Sequence, residues 1–311
     1  MRCFSALSAT AICVASIVIL PGCTDTGADD LNLGTSVSVN PAADAAMLAQ
    51  VRLTGQAGQK PSIEFSHPIS VTGPVARLVD QGTGTAIEEF NAIVAQIVVV
   101  DGENGQEKSS TYGASPQIMM VDETNMPREL RDVLINSQVG VRILYAGPTE
   151  MGTAVSAIEI TSILDLLVAA EGTQVAPAAG LPLIDYADSP SAEGKMPLMA
   201  PVAGPPPDKL VIQPLIVGNG AVITSESKLV VQVAGWLWNG TSFNNSWEIG
   251  NGLPVILSET IEGWREGLPG QTIGSQVMLV VPPEMAWDGQ GKSNIPAGST
   301  LVYVIDILAG I

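Results

Sequence analysis

Trp264 is the residue whose surroundings most clearly suggest a site. It lies in the segment Glu259 to Leu268, where Ile261, Trp264 and Leu268 fall at positions i, i+3 and i+7. That spacing places all three on one face of a short helix. A dry aromatic surface can bind an apolar group, although it supplies neither a nucleophile nor a proton donor. The pattern therefore predicts a binding pocket with Trp264 as its floor.

Chemistry that depends on nucleophiles, metals or nucleic acid is disfavoured. The three cysteines, Cys3, Cys13 and Cys23, all lie near the start of the chain, and His67 is the one histidine. A Ser-His-Asp triad or a thiolate metal site therefore has too few members, and we predict no metal and no cofactor. The net charge of −18 repels nucleic acid, so a nucleic-acid partner is excluded.

β-type segments surround the Trp264 helix and must position it. Leu229 to Leu237 precedes the helix, and Val277 to Val281 and Leu301 to Leu308 follow it. A single short helix among strands packs its apolar face against the concave side of a curved antiparallel sheet. The chain has 311 residues, which is enough for two domains.

Residues 1–23 have the pattern of an export signal. Arg2 precedes an apolar run from Phe4 to Leu20 that is short for a membrane span. Leu20-Pro21-Gly22-Cys23 resembles a bacterial lipobox, which predicts lipidation of Cys23. The alternative is an uncleaved N-terminal anchor. Either interpretation places the body outside the cytoplasmic membrane, attached to it through the anchor only.

Two further segments lack regular periodicity. Residues 24–44 are rich in Asp, Gly and Thr and predict a disordered tether. Residues 169–207 are rich in Ala and Pro and predict an extended, semi-stiff linker. Residues 181–207 could instead belong to the following domain, with Leu181 to Tyr186 as an edge strand.

An internal repeat joins the two halves of the body. Asp101 to Tyr112 parallels Asn239 to Trp247, and Arg128 to Leu134 parallels the Trp264 helix. Further pairs in the same order predict two similar domains. In this alignment Leu130 stands at the place of Trp264, Lys108 at that of Phe243 and Thr153 at that of Trp287, and Gly140 parallels Gly274.

The last third of the chain resembles the FKBP-type peptidyl-prolyl cis-trans isomerases, most closely in the layout of two-domain lipoproteins of actinobacterial type. The matching residues, in family order, are Gly235, Asn239–Gly240, Phe243–Trp247, Ile261–Leu268, Gly274, Val281–Pro283, Ile295–Pro296 and Thr300–Val302. The resemblance implies an α+β protein of two FKBP-like domains, each a curved antiparallel sheet wrapped around a short helix. Residues 208–311 would be the isomerase domain and residues 45–168 a degenerate copy.

The implied activity is isomerisation of X-Pro peptide bonds. Amide resonance opposes rotation by roughly 18–20 kcal/mol, and a site lowers this barrier when it binds the twisted amide better than either planar form. The resemblance implies five catalytic-pocket residues: Trp264 as floor, Phe243 as wall, Trp287 as a hydrogen-bond donor, and Tyr303 and Ile261 as pocket lining. It also implies substrate contacts at Thr260 and Ile295.

Three positions depart from the family pattern. Val233 replaces an aromatic residue, Asn244 replaces an aspartate, and Val255 stands where another pocket aromatic is usual. They belong to the implied substrate-binding set, and they should reduce the polarity of the pocket rim.

Two rivals to an isomerase remain: a chaperone-like binding lipoprotein with weak or no turnover, and a purely structural envelope lipoprotein. The resemblance implies proline-containing exported polypeptides as partners, with macrolide isomerase inhibitors as further ligands.

Overall fold

The protein is mostly β-structure with few helices. A computed structural model describes residues 39–190, 194–202, 204–250, 252–292 and 294–311. The predicted signal segment and Cys23 lie outside the described residues, so both remain predictions. No helix within the described ranges is both long and apolar enough to cross a membrane.

The first half of the chain forms a six-stranded antiparallel sheet. Its elements are α1 (Pro41–Ala49), β1 (Arg52–Thr54), β2 (Ser62–Glu64), β3 (Val75–Asp80), β4 (Ala92–Asp101), β5 (Glu107–Ser110), β6 (Gln117–Met120), α2 (Arg128–Ile135), β7 (Arg142–Thr149) and β8 (Gly152–Leu164). The strand order is β3-β7-β8-β4-β5, with β6 also paired to β4, and β1 and β2 form a separate hairpin.

The second half forms a seven-stranded antiparallel sheet. Its elements are β9 (Thr173–Gln174), β10 (Ile184–Asp188), β11 (Lys195–Met199), β12 (Val211–Val217), β13 (Lys228–Leu237), β14 (Ser242–Asn245), β15 (Leu253–Ile256), α3 (Glu262–Gly267), β16 (Gln276–Val281) and β17 (Leu301–Gly310). The order is β14-β13-β17-β16-β12-β9, with β15 also paired to β13.

The two sheets share one strand order. β3, β7, β8, β4 and β5 correspond in sequence and in pairing to β12, β16, β17, β13 and β14, and β6 corresponds to β15. The helix that follows β6 or β15 also falls at the same point in each half. Gly140 and Gly274, which precede β7 and β16, both adopt a positive φ, at 92° and 91°. The sequence repeat is thus matched by a repeat of topology.

Side chains along the central strands alternate between the two faces of the second sheet, so an apolar layer lies on each face. Leu229, Val231 and Val233 of β13 face α3, whereas Ala234 and Trp236 face the opposite side. Because both faces are covered, every residue of β17 from Leu301 to Ala309 is buried. The predicted helix is shorter than its sequence pattern: α3 covers six residues and follows a 3₁₀ turn at Leu257–Glu259.

The chain before each sheet covers the face opposite α2 or α3. In the first half this cover includes α1, whose Leu48 packs with Val98 and Ala157. The predicted disordered tether therefore ends too late, because helix α1 begins at Pro41 and Asp44 is buried. The Asp44 carboxylate accepts hydrogen bonds from the Thr72 and Gly73 backbone N–H groups at 2.9 and 3.0 Å.

The Ala/Pro-rich linker covers the face of the second sheet opposite α3; we call residues 169–190 and 194–202 the strap. It is more than an extended connector, because β10 and β11 form a hairpin whose Met196 and Met199 pack with Trp236 and Trp247. The edge strand that joins the sheet is Thr173–Gln174, not the predicted Leu181 to Tyr186.

The two halves are also in direct contact. Met120 and Ile118 of β6 pack with Val230 and Ala309 of the second sheet. The Nζ of Lys228 donates hydrogen bonds to the carbonyls of Ser115 and Pro116 at 2.9 and 2.6 Å. Lys228 is 8% exposed, so this polar contact is sheltered from water.

Candidate active site

Three aromatic residues meet on the face of the second sheet that is covered by α3. Trp264 is on α3, Tyr303 on β17 and Phe243 on β14. The Tyr303 ring lies 5.3 Å from Trp264 and 5.5 Å from Phe243 between centroids, with interplanar angles of 89° and 88°. Perpendicular packing of this kind is a favourable arrangement for aromatic rings. The structure thus gathers three of the predicted pocket residues into one cluster.

Two glycines allow this close approach. A Cβ on Gly235 would lie 2.7 Å from the Phe243 ring, and a Cβ on Gly263 would lie 2.5 Å from the side chain of Val281. Gly235 therefore makes room for the Phe243 ring against β13, and Gly263 lets α3 settle on β16. Phe243 itself sits at an irregularity in the β13–β14 pairing, between the paired residues Ser242 and Asn244.

The long connection between β16 and β17 shields the cluster. Ile295 is 8% exposed and belongs to the same apolar cluster, and Trp287 is partly buried against it. Trp287 has a φ of 47°, a left-handed conformation that is strained for a large side chain. The Nζ of Lys292 lies 5.5 Å from the centre of the Trp287 ring, within cation–π range.

A cavity of about 260 Å³ adjoins this cluster. Its walls combine the approach to α3 with the loop after β16, and they are formed by Glu259, Thr260, Ile261, Glu262, Arg265, Glu284, Met285 and Trp287. Ile261 and Trp287 pack against the aromatic cluster as well, so they join the two parts. Trp264 does not line the cavity, because its ring lies in the packed cluster alongside, so its role as a pocket floor stays a prediction.

Backbone polar groups at the cavity are arranged by the turn before α3. The Thr260 hydroxyl donates to the carbonyl of Leu257 at 2.7 Å, and Arg265 donates to the carbonyl of Thr260 at 2.8 Å. The Ile261 N–H has no hydrogen-bond acceptor within the described parts of the chain. It is therefore available to a ligand in the cavity.

The cluster is dry. Burial raises the pKa of the Tyr303 hydroxyl well above its usual range. Trp264 is 7% exposed, and its Nε1 is a buried donor without a hydrogen-bond partner among the described residues. An unsatisfied buried donor costs about 1–3 kcal/mol and calls for an explanation, such as a ligand.

The three departures from the family pattern occupy different environments. Val233 is 2% exposed and packs inside the aromatic cluster, so it does not lie on a polar rim as expected. Val255 is partly buried at the edge of the same cluster. Asn244 is exposed on β14 and pairs with Gly235 through the backbone.

The first half supports two of the three repeat assignments. Leu130 lies three residues after the N-cap Pro127, as Trp264 lies three residues after the N-cap Ile261. Lys108 falls at the irregularity in the β4–β5 pairing, as Phe243 does in the β13–β14 pairing. Thr153 does not match Trp287: the first half has a tight turn between β7 and β8, and Thr153 pairs with Pro148 there. Trp287 instead lies in a loop that the first half lacks.

Sequence reasoning missed several cavity residues. Glu259, Glu262, Arg265, Glu284 and Met285 are charged or flexible side chains next to the predicted floor. Their position in the sequence could have indicated them. Residues next to the Trp264 helix and to the loop of Trp287 lie close to a pocket formed between these two elements.

The comparison with known proteins agrees with this geometry. Residues 220–308 match the family model described as FKBP-type peptidyl-prolyl cis-trans isomerase. A probable FK506-binding protein of Corynebacterium glutamicum is 36% identical over 107 residues, which cover 34% of this chain and 91% of that protein. The chain belongs to the FKBP-type peptidyl-prolyl cis-trans isomerase family. Residues 220–308 are an isomerase domain of that family.

Other FKBP-type relatives match over a similar length. The FK506-binding protein of Neisseria meningitidis is 32% identical over 102 residues, covering 32% of this chain and 94% of that protein. Escherichia coli FkpA is 37% identical over 99 residues, 32% of this chain, and the match spans only 37% of FkpA.

Two crystal structures were also matched. FkpA from Escherichia coli has a TM-score of 0.32 at 37% identity, covering 32% of this chain and 47% of that one. AtFKBP13 has a TM-score of 0.31 at 26% identity, covering 34% and 96%.

Proposed function

We propose that the second half of this protein catalyses cis–trans isomerisation of X-Pro bonds in exported polypeptides. The observation that carries the proposal is the perpendicular arrangement of Trp264, Tyr303 and Phe243 beside a cavity. A prolyl ring is apolar, and an aromatic floor and wall would hold it without a charge or a nucleophile.

The reaction needs only preferential binding of the twisted amide. Twisting removes C–N double-bond character and makes the carbonyl less polar, so a dry aromatic site favours the twisted form over both planar forms. Trp264 is 7% exposed and Tyr303 is 4% exposed, which supports a site with little water. In this scheme Trp264 is the floor and Phe243 a wall, and Ile295 with its loop shields the site.

Donors at the cavity would orient the peptide backbone. The Ile261 N–H and the indole N–H of Trp287 would donate to substrate carbonyls, and Thr260 would hold the turn that presents Ile261. The buried Nε1 of Trp264 is a third donor that a bound carbonyl could satisfy. Tyr303 supports both other aromatic rings.

The rest of the chain would determine where the enzyme works. We infer that Cys23 carries a lipid, so that the body faces the exported proteins outside the cytoplasmic membrane. The shared strand order supports reading residues 45–168 as a second FKBP-like domain, with Leu130 and Lys108 in place of the floor and wall. That domain would then be a spacer or a surface that holds the client.

The names of two relatives refer to FK506 binding. We propose by analogy that macrolide isomerase inhibitors occupy the same aromatic site in this chain. Competition between such a macrolide and a prolyl peptide would test the shared site.

A second candidate function is peptide binding without turnover. It is favoured by Val233, which fills part of the cluster where the family has an aromatic residue, and by Asn244 in place of an aspartate. Exchange NMR on an X-Pro peptide separates the two functions. Catalytic amounts of the chain should accelerate cis–trans exchange, whereas saturable binding without acceleration would establish the binding module.

A further inference from the structure

A second cavity lies on the opposite face of the same sheet, between the strap and β12, β16 and β17. Its volume is about 520 Å³, within the usual range for small-ligand sites. Much of its wall is apolar, contributed by Val175, Pro177, Pro182, Leu215 and Met278. Val175 and Tyr186 at its border are 37% and 43% exposed, so the cavity opens to solvent.

The polar part of this cavity is a buried carboxylate. Asp306 is 2% exposed and accepts hydrogen bonds from Gln276 Nε2 at 2.7 Å and from the Ala170 N–H at 3.0 Å. The Tyr186 hydroxyl donates to Gln276 Oε1 at 2.6 Å. The two donors to Asp306, the Gln276 amide and the Ala170 N–H, are neutral. A buried charge held only by neutral groups is costly.

The first half has a cationic residue, rather than a neutral one, opposite the matching carboxylate. Gln276 and Asp306 are directly opposed across β16 and β17, and the matching pair across β7 and β8 is Arg142 and Glu159. Opposed residues of an antiparallel pair project to the same face. Glu159 is also buried, at 6% exposed, and it accepts hydrogen bonds from the Gly58 N–H and the Tyr112 hydroxyl, while Arg142 across from it is ion-paired with Asp80. In the second half a neutral glutamine takes the place of that arginine, and a cavity lies beside it.

We propose that this cavity binds an organic cation, an ammonium or guanidinium group on an apolar chain, through the carboxylate of Asp306. The cation gives Asp306 a charged partner in addition to its two neutral donors, and the apolar chain lies against the prolines and aliphatic side chains. A charged hydrogen bond to a buried carboxylate is strong because water does not compete for it. The site is separate from the aromatic cluster, since Asp306 and Tyr303 project to opposite faces of β17.

The charged groups around the cavity set its pH dependence. Burial raises the pKa of Asp306 to about 6. Among the described residues that line the cavity, the other titratable groups are Tyr186 on β10, whose pKa is raised by burial, and Lys195 on β11, which is ion-paired with the exposed Asp188. The anionic form of Asp306 binds the cation, so binding weakens as the pH falls below about 6.

The test measures the binding of butylguanidinium and of the neutral butylurea to the whole chain. Binding is monitored through the NMR chemical shift of the Ala170 amide and by calorimetry. Butylguanidinium should saturate one site near pH 7.5 and butylurea should not. Asp306→Asn removes the charge and should weaken binding about tenfold or more. Gln276→Arg places a guanidinium opposite Asp306 and should block the site by supplying an internal cation.

Asp208→Asn is the matched control, because Asp208 is an exposed carboxylate that does not line the cavity. It should bind the probe as the wild type does. If the Asp306→Asn protein misfolds, two other measurements still test the proposal. Gln276→Arg should block binding, and the affinity of the wild type for butylguanidinium should weaken about tenfold between about pH 7.5 and 5. Absence of saturable binding, equal binding of butylurea, or unchanged affinity in a folded Asp306→Asn or Gln276→Arg protein would overturn the proposal.

Discussion

Leu130 and Trp264 occupy the same position in the two halves of the molecule. Each is the third residue of the helix that packs on its sheet, and each backbone N–H donates to the carbonyl three residues earlier, at 3.1 and 3.0 Å. Both side chains are buried, at 3% and 7% exposed. A repeated scaffold thus carries an aliphatic residue in one half and an aromatic floor in the other, which confines the expected activity to the second half.

The wall position should distinguish the halves in the same way. Phe243→Lys copies Lys108 and brings a hydrated charge to a dry surface, so we expect kcat/KM for a prolyl peptide to fall by about tenfold or more. The reciprocal Lys108→Phe should leave the activity unchanged, since Leu130 still replaces the floor there. A measurable gain from Lys108→Phe would contradict the assignment of the first half as inactive.

Val233→Tyr should destabilise the protein. Val233 is 2% exposed within a packed cluster, so a ring added there overfills the core, and we expect a loss of about 1–3 kcal/mol in the free energy of unfolding. Urea denaturation measures it, and Asn244→Asp on the exposed side of β14 is the control, with a change within about 0.5 kcal/mol. If Val233→Tyr were as stable as wild type and more active, Val233 would belong to the substrate-binding rim after all.

Asp306 should make stability depend on pH. Its pKa in the folded protein is raised to about 6 by burial, above its unfolded value of about 3.9. The folded state therefore binds the proton more tightly, and this group's favourable contribution, present below about pH 4, is lost as the pH rises through 6. Relative to Asp306→Asn, the wild type should lose up to about 3 kcal/mol between about pH 4 and 8. A difference between the two proteins that does not vary with pH would refute this account.

Lys228 should couple the two halves. Lys228→Met keeps the apolar stem but removes the donor to the carbonyls of Ser115 and Pro116, and we expect a loss of about 1–3 kcal/mol. Differential scanning calorimetry should show the unfolding transition broadening or splitting, with the exposed Lys209→Met as control. A single unshifted transition in Lys228→Met would show that the contact contributes little.

The predicted floor, Trp264, came from local spacing, whereas the wall, Phe243, was implied by the family resemblance; in the structure both rings pack against Tyr303. The spacing around Trp264 is determined by a few neighbouring residues, so the sequence carries it directly. Tyr303 was reached only through the family resemblance, because a residue on a buried strand gives no periodic signal of its role.

The strap and the loop were harder to predict for physical reasons. The strap is held by long-range contacts, such as the Ala170 N–H to Asp306 and Met199 against Trp236, which leave no periodicity in an Ala/Pro-rich sequence. Thr153 was matched to Trp287 because sequence spacing alone cannot show that one half has a tight turn and the other a long loop. Asp306, a charge within the apolar run Val304 to Leu308, was the overlooked signal of a buried polar site.

The central claim is that Trp264 is the floor of the catalytic pocket, and one comparison tests it most directly. Trp264→Leu copies Leu130, and Trp247→Leu removes an equally buried tryptophan from the opposite face of the same sheet. Both variants, confirmed as folded by circular dichroism, would be assayed as whole chains on one X-Pro peptide. Trp264→Leu should lose about tenfold or more in kcat/KM, while Trp247→Leu should retain the wild-type value per folded molecule. Wild-type turnover by a folded Trp264→Leu protein would contradict the account and place the site elsewhere.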